Sequence, residues 1–532
     1  MNTKAQFFSY RQTGSFSKML TDYIAAEEKL QPFYTHPVSI DGIKASIKQR
    51  KLFQTDRTLL VEILKNQYQD SQLTDKQSQN IVALNSHDTF TICTAHQPNI
   101  FTGQLYFIYK ILHAIKLAEE LKIQLPENNF VPVYYMGSED ADLDELGHIF
   151  IKGTKYEWIT KQTGAVGRMK VDKALIELME LISGQLSIFP FGNEIITLIK
   201  KCYQIGFTIE KATFLLVNEL FANYGLLILL PDSAAVKNAF APVIKKELLT
   251  GFSHLAVKET VEQFPEIYKV QTSGRDINLF YLSESKRERI EQVGDEYLVV
   301  NTPLKFTKEN ILVELELHPE RFSPNVILRP VLQETILPDI AFIGGGGEIA
   351  YWLELKKVFE AAQVPYPMLI ARNSFLFINK ELQELSAKLQ LDFIELFKPE
   401  LTIINQLVKR ESSLQVSLDK EKATINDLYE QLKTVVGKID VTLQTHTEAL
   451  QKQALKKIIA LEKKMLRAEK RKFETQQRQL QNLKTSLFPN NNLQERVVNM
   501  MPLYALWGKD FIKMIYDHSK GLDQEFGIIL EK

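Results

Sequence analysis

The sequence predicts an α/β protein: a parallel-sheet core with insertions, followed by a long helical coiled-coil domain. Three observations predict it. Short apolar runs alternate with amphipathic helical patterns up to about residue 380. From about 381 to 488 the signal is helical almost throughout. From 489 to 532 mixed apolar and aromatic residues return, as a segment rejoining the core would show. The expected domains are therefore 1–380, 381–488 and 489–532.

The core elements follow in order. Residues 89–95 (TFTICTA) read as a buried strand, followed by a loop with Pro98, Asn99 and Gly103. Leu105, Ile108, Leu112, Ile115 and Ala118 then recur at spacings of three and four, which makes an amphipathic helix. Residues 130–136 (FVPVYYM) read as the next strand. Strand, helix and strand over about 45 residues form a βαβ unit, the building block of parallel sheets. Leu226–Leu230 reads as a further strand, and the window from Thr213 to Leu230 is too polar to span a membrane. Residues 340–343 read as a short strand, 348–361 as a helix and 367–371 as a strand. Between about 245 and 325 the pattern is less regular and predicts an insertion with antiparallel strands such as Leu279–Leu282 and Tyr297–Val300.

The second domain lacks proline between Pro399 and Pro489, and its only glycine is Gly437. Leu450, Ala454, Ile458, Leu461, Met465 and Ala468 follow coiled-coil-like spacing. A turn near Gly437–Thr445 predicts an antiparallel hairpin. Its apolar stripe needs a cover, on the other arm or on a second subunit, so a homodimer is expected.

Composition narrows the function. Lys plus Arg is 64 and Asp plus Glu is 65, a net charge of −1. A phosphate-backbone binder carries a basic excess, so nucleic-acid binding is not expected. Nine basic residues against Glu462 and Glu469 between Lys452 and Lys472 read as a solvated coiled-coil face. Cys93 and Cys202 cannot build a disulfide scaffold or a four-ligand zinc site. With no secretory signal visible at the N-terminus, a reducing cytoplasm is expected, and no membrane partner.

Four segments carry candidate chemistry. The first is His96-Gln97-Pro98-Asn99-Ile100-Phe101-Thr102-Gly103, with Tyr106 beyond, on the first strand-to-helix turn. Ligands bind at the carboxyl ends of strands in open parallel sheets, and a helix N-terminus favours anions. The second is Ser138-Glu139-Asp140-Ala141-Asp142-Leu143-Asp144-Glu145, whose acids could seat an amine or Mg²⁺; a helix dipole also attracts such acids. The third is Arg329 with Gln333, placed to clamp a carboxylate or phosphate. The fourth is Gly344-Gly345-Gly346-Gly347-Glu348 with Tyr351. Four glycines cost backbone entropy, accepted where a ligand approaches closely or φ is positive. Arg372 completes the rim.

These blocks, in this order, resemble the cysteine ligase family of bacillithiol biosynthesis. The resemblance rests on TAHQPNIFTGQLYFIYK, VPVYYMGSEDADLDELGHI, SPNVILRPVLQETILPDIAFIGGGGEIAYW and LQERVVNMMPLYALWGKDFI, together with the coiled-coil stretch. The chain departs from the family pattern at Ala95-His96, Gln104, Ala141 and Gly346. The resemblance implies a Rossmann-like core related to class I aminoacyl-tRNA synthetases and a coiled coil used in dimerisation. It implies amide-bond formation between cysteine and the glucosamine amine of glucosaminyl-malate. ATP and Mg²⁺ follow only by analogy of fold, because the HxGH and KMSKS signatures are absent. On this reading His96, Glu139, Asp140, Asp142 and Arg329 are the catalytic candidates. Gln97, Thr102, Gly103, Tyr106, Ser138, Gln333, Gly345, Gly346, Gly347, Glu348, Tyr351 and Arg372 are the binding candidates, and no residue is assigned to a metal. The alternative is a non-catalytic nucleotide- or metabolite-binding dimer with a coiled-coil scaffold.

Overall fold

The computed structural model describes residues 3–272 and 274–532. The chain divides into two compact units. One comprises the residues up to Arg11, Ser15–Phe377 and Asn492–Lys532; the other comprises Gln12–Gly14 and Ile378–Asn491.

The first unit is built on a parallel sheet that has five strands among the described residues. Its spatial order is Met368–Ala371, Asp339–Gly344, Thr89–His96, Asn129–Met136, Leu227–Leu229. Numbered along the chain, that order is 5-4-1-2-3, or 3-2-1-4-5 read from the opposite edge, the doubly wound order. The apolar runs read from sequence become strands because both faces of the sheet are covered, so nearly every side chain in Thr89–His96 and Asn129–Met136 is buried. The helix Tyr106–Gln124 supplies much of that cover.

Order reverses between the first strand, Thr89–His96, and the fourth, Asp339–Gly344, which pair directly. Crossovers leave this point in opposite directions, so the loops after the two strands part and leave a crevice. The expected insertion is a five-stranded antiparallel sheet over residues 279–324, with Leu279–Leu282 and Glu296–Val299 among its strands. A third sheet pairs Thr3–Ser9 with Glu525–Glu531 in a seven-residue antiparallel register, and Glu525–Glu531 with Ser374–Ile378.

One expected element differs. The helix read over 348–361 is two helices, Gly346–Trp352 and Lys356–Ala362. The break coincides with buried Glu354, whose carboxylate accepts the backbone N–H groups of Gln271 and Thr272 at 2.7 and 2.8 Å.

The second unit is helical. Asp419–Gly437 and Thr442–Lys470 form an antiparallel hairpin whose turn lies at residues 438–441. Lys433 and Glu448 pair across it at 2.6 Å, and Lys422 and Glu462 at 3.1 Å. No described helix is long and apolar enough to cross a membrane.

Candidate active site

All five strand ends of the parallel sheet open into one cavity of about 800 Å³. Ala95, His96 and Gln97 come from the first strand, Gly137, Glu139 and Asp140 from the second, and Pro231 from the third. Gly345–Gly347 and Glu348 follow the fourth strand, and Arg372 the fifth. The antiparallel insertion adds Phe280, Arg287 and Pro324. The returning C-terminal segment adds Arg496.

Two arginines face the crevice on built supports. Arg329 donates from Nη1 to Gln333 Oε1 at 3.2 Å and from Nη2 to the Tyr351 hydroxyl at 2.9 Å. Its guanidinium lies 5.6 Å from the ring centre of Tyr135. Burial opposes its charge, but Tyr351, Tyr135 and Glu348 outweigh that, and its pKa rises. Arg372 donates from Nη2 to Glu495 at 2.7 Å and from Nη1 to Ser374 Oγ at 2.9 Å. Its guanidinium lies 5.1 Å from the ring centre of Tyr106, and its buried Nε has no partner.

His96 is half-buried against Tyr106 and Phe107, with ring centres 5.3 and 5.4 Å away. Burial, followed by the charges of Lys110 and Arg372, pushes its pKa well below the ordinary histidine range. The ring is therefore neutral at physiological pH. Its Nε2 is buried without a partner, as is the Arg372 Nε. Both orphaned nitrogens belong to residues that line the cavity, and buried polar atoms without partners are rare in a folded protein.

The glycine loop is held from behind. Glu348 Oε2 accepts the Gly345 N–H at 2.9 Å and the Lys110 ammonium at 2.6 Å. None of the four glycines has positive φ, which corrects one of the two reasons offered for them. Close packing of the protein itself, not of a ligand, constrains two positions. A Cβ on Gly344 would lie 2.9 Å from the Phe342 ring, and one on Gly346 3.0 Å from Leu20. A Cβ on Gly347 would meet nothing within 4 Å, so this face is left open.

The acidic loop spends most of its carboxylates on the protein. Glu139 pairs with the fully buried Lys237 and accepts from Ser323 Oγ at 3.0 Å. Asp140 accepts from Gln97 Nε2 at 3.1 Å and from the Asp142 N–H at 3.2 Å. Asp142 caps a one-turn helix by accepting the Glu145 N–H at 3.0 Å. Among the described residues, no group of three or more His, Cys, Asp or Glu is arranged to hold a metal ion.

Residues 3–373 match the family model "Bacillithiol biosynthesis BshC, N-terminal Rossmann-like domain", and residues 375–531 match its C-terminal coiled-coil domain. The chain belongs to the BshC family. Among curated relatives named "Putative cysteine ligase BshC", those of Flavobacterium johnsoniae and Flavobacterium psychrophilum are each 39% identical, over 523 and 524 residues, covering 98% of both chains. The relative of that name from Chlorobaculum tepidum is 29% identical over 547 residues, covering 97% of each chain. A solved structure titled as a putative arginyl t-RNA synthetase from Campylobacter jejuni aligns with 84% of this chain and 98% of its own at 11% identity, with a TM-score of 0.23.

In this BshC chain the cavity brings together His96, Gln97, Tyr106, Glu139, Asp140, Arg329, Gly345, Gly346, Gly347, Glu348, Tyr351 and Arg372. Five expected site residues stand outside its lining. Thr102 and Gly103 form a left-handed turn whose neighbouring carbonyls accept from Asn499, so the turn faces protein instead of an anion. Ser138 is fully buried behind the acidic loop, and Asp142 is used as a helix cap. Gln333 is buried behind Arg329 and donates to Glu334 at 2.9 Å.

Sequence reasoning missed Arg275, Arg287 and Arg496 in the lining, and it noted Glu145 in the acidic segment without assigning it a role. It also missed Lys110, Lys237, Glu495 and Asn499 behind it. Lys110 left one signal, a lysine among Ile108, Tyr109, Ile111 and Leu112 in the part of the helix that is buried residue after residue. Glu495, Arg496 and Asn499 lay in a block already tied to the family, with no role attached.

Proposed function

We propose that this chain is a ligase that joins the carboxyl group of cysteine to the glucosamine amine of glucosaminyl-malate, forming an amide. The observation that carries this reading is the convergence of Arg329, Arg372, His96 and the Gly345–Gly347 loop at the switch point of the sheet, in a chain whose relatives are named for cysteine ligation. A free carboxylate is a poor acyl donor, so the reading includes activation by a nucleoside triphosphate. ATP with Mg²⁺ supplies the phosphate that makes the carboxyl carbon an acyl donor.

The residues present fit such a group. Gly347 leaves an open face in the loop, and Arg329 and Arg372 bring two guanidinium charges to the same cavity. Gly345–Gly347 would lie along the phosphates. Arg329 and Arg372 would neutralise charge that grows on the acyl and phosphate oxygens as the bond breaks. His96, kept neutral, would stand beside the carbonyl oxygen. Asp140 and Gln97 would orient the sugar hydroxyls. The test is mass spectrometry of purified protein with cysteine and glucosaminyl-malate, with and without ATP–Mg²⁺. A product one cysteinyl residue heavier, formed only with ATP, supports the reading; its absence under both conditions overturns it.

The active form in this proposal is a cytoplasmic homodimer joined through the helical hairpin. Leu428, Leu432, Val435, Leu450, Ile459 and Leu461 of the hairpin are all at least 38% exposed. The chain itself leaves this stripe uncovered, and a second copy would cover it in coiled-coil fashion. Sedimentation equilibrium of the L432E/L461E variant should give a monomer where the parent gives a dimer.

A further inference from the structure

The acceptor amine is largely protonated at neutral pH, so its lone pair must be released before it can attack. A base for that step needs a carboxylate or imidazole that lines the cavity, has a free oxygen or nitrogen, and can hold a proton. Most candidates fail one of these conditions. His96 has the free nitrogen, but burial and neighbouring cations keep it from holding a proton. The carboxylate of Glu139 is occupied by Lys237 and Ser323, one on each oxygen. Glu348 is pinned by Lys110 and the Gly345 N–H. Asp140 is engaged by Gln97 and the Asp142 N–H. Asp142 and Asp144 do not line the cavity.

Glu145 meets all three conditions. It lines the cavity, and no donor bonds to its carboxylate among the described residues. Its backbone N–H is fixed by Asp142, so the turn that carries it does not depend on its side chain. The groups that act on it are Asp140 and Asp142 from its own loop, His148 from the strand that follows, and Tyr106 from the helix Tyr106–Gln124. Partial burial and the two like charges raise its pKa, the direction a base requires. His96 and Arg372 line the same cavity and provide polar and cationic side chains for the acyl end of a ligand.

We infer that Glu145 is the general base of amide formation, an assignment that rests on the ligase reading above. The acceptor ammonium gives one proton to the Glu145 carboxylate. Its freed electron pair forms the C–N bond at the acyl carbon. The C–O bond to the phosphate breaks, and the phosphate leaves with that electron pair. The second proton on nitrogen passes to solvent, and Glu145 then releases its own.

The test compares the full-length protein with Glu145→Gln and Glu145→Asp, using Asp144→Asn as a neighbouring control. Amide formation from cysteine, ATP–Mg²⁺ and glucosaminyl-malate is followed from pH 6 to 9. Hydroxylamine, unprotonated at neutral pH, replaces the sugar amine in a parallel assay. The E145Q variant should lose about 100-fold or more in kcat at pH 7 with KM changed by less than about threefold. Its rate should climb with pH as the amine deprotonates unaided. Hydroxamate formation should be equal in E145Q and the parent, and E145D should recover part of the amide rate. E145Q within about fivefold of the parent in amide formation, with the same pH profile, overturns the assignment alone. A parent that forms neither amide nor hydroxamate overturns the ligase reading and the base assignment with it.

Discussion

The ammonium of Lys110 lies 2.6 Å from Glu348 Oε2, the oxygen that also takes the Gly345 N–H at 2.9 Å. Lys110 donates as well to the carbonyl of Ala95, at the end of the first strand. One buried lysine therefore ties both sides of the switch point together. Replacing it with methionine removes one donor from the Ala95 carbonyl and the charged partner of the Glu348 carboxylate. Lys110→Met should cost about 1–3 kcal/mol in urea unfolding. It should also raise KM for ATP more than KM for the sugar, because the glycine loop loses its anchor.

Arg329 separates charge from geometry. Lysine at this position keeps the charge but cannot reach both Gln333 and Tyr351 from one planar group. Arg329→Met should lower kcat by about 100-fold, and Arg329→Lys by about tenfold. Steady-state kinetics of the two variants, with circular dichroism to confirm folding, checks the order.

The four glycines should not respond alike. Gly344→Ala drives a methyl group into the Phe342 ring and should destabilise by about 1–3 kcal/mol. Gly347→Ala meets open space within a helix and should be neutral or stabilising by up to about 1 kcal/mol. Its added methyl group faces the cavity, so it should weaken ATP binding while the fold is unharmed. Thermal melts and calorimetric titration with ATP separate the two effects.

His113 predicts a pH dependence of stability. Its Nε2 lies 2.7 Å from the Gly521 carbonyl, its Nδ1 accepts the Asn373 N–H at 3.1 Å, and burial pushes its pKa down to about 4. The unfolded chain takes up a proton on this ring near pH 6.5, and the folded chain does not until about pH 4. Between these values unfolding binds a proton, so stability falls as pH falls, by about 1.4 kcal/mol per pH unit for this one group. His113→Gln should be less stable than the parent at pH 7, and the gap should close toward pH 4.5. Urea unfolding at four pH values measures it.

The strands and the loops after them were legible because a sheet covered on both faces needs continuous apolar runs, and TFTICTA and FVPVYYM are such runs. Doubly wound sheets bind ligands at strand ends, so His96, Asp140, Gly345–Gly347 and Arg372 were legible by position alone. Arg287 was not, because only the fold of the insertion carries it to the cavity, stacked 3.9 Å from the ring centre of Phe280. Arg496 was hidden for the same reason, more than 100 residues beyond the fifth strand. The three left-handed residues Phe101, Thr102 and Gly103 were unreadable because the Asn499 that stabilises their turn is distant in sequence. Among the acids, composition showed five candidates, and only the partners of each showed which are already engaged.

The pairing of Thr3–Ser9 with Glu525–Glu531 has a consequence for the order of synthesis. Thr3–Ser9 leaves the ribosome more than 500 residues before its partner. At about 5–20 residues per second the wait is about 25–100 s. Glu495, which holds Arg372, and Asn499, which holds the loop after the first strand, emerge almost as late. Through that interval the nascent chain carries the walls of its cavity without their fastenings. Messages cut short within the helical segment therefore yield chains with an open sheet edge and an unsupported arginine, natural targets for chaperones and proteases.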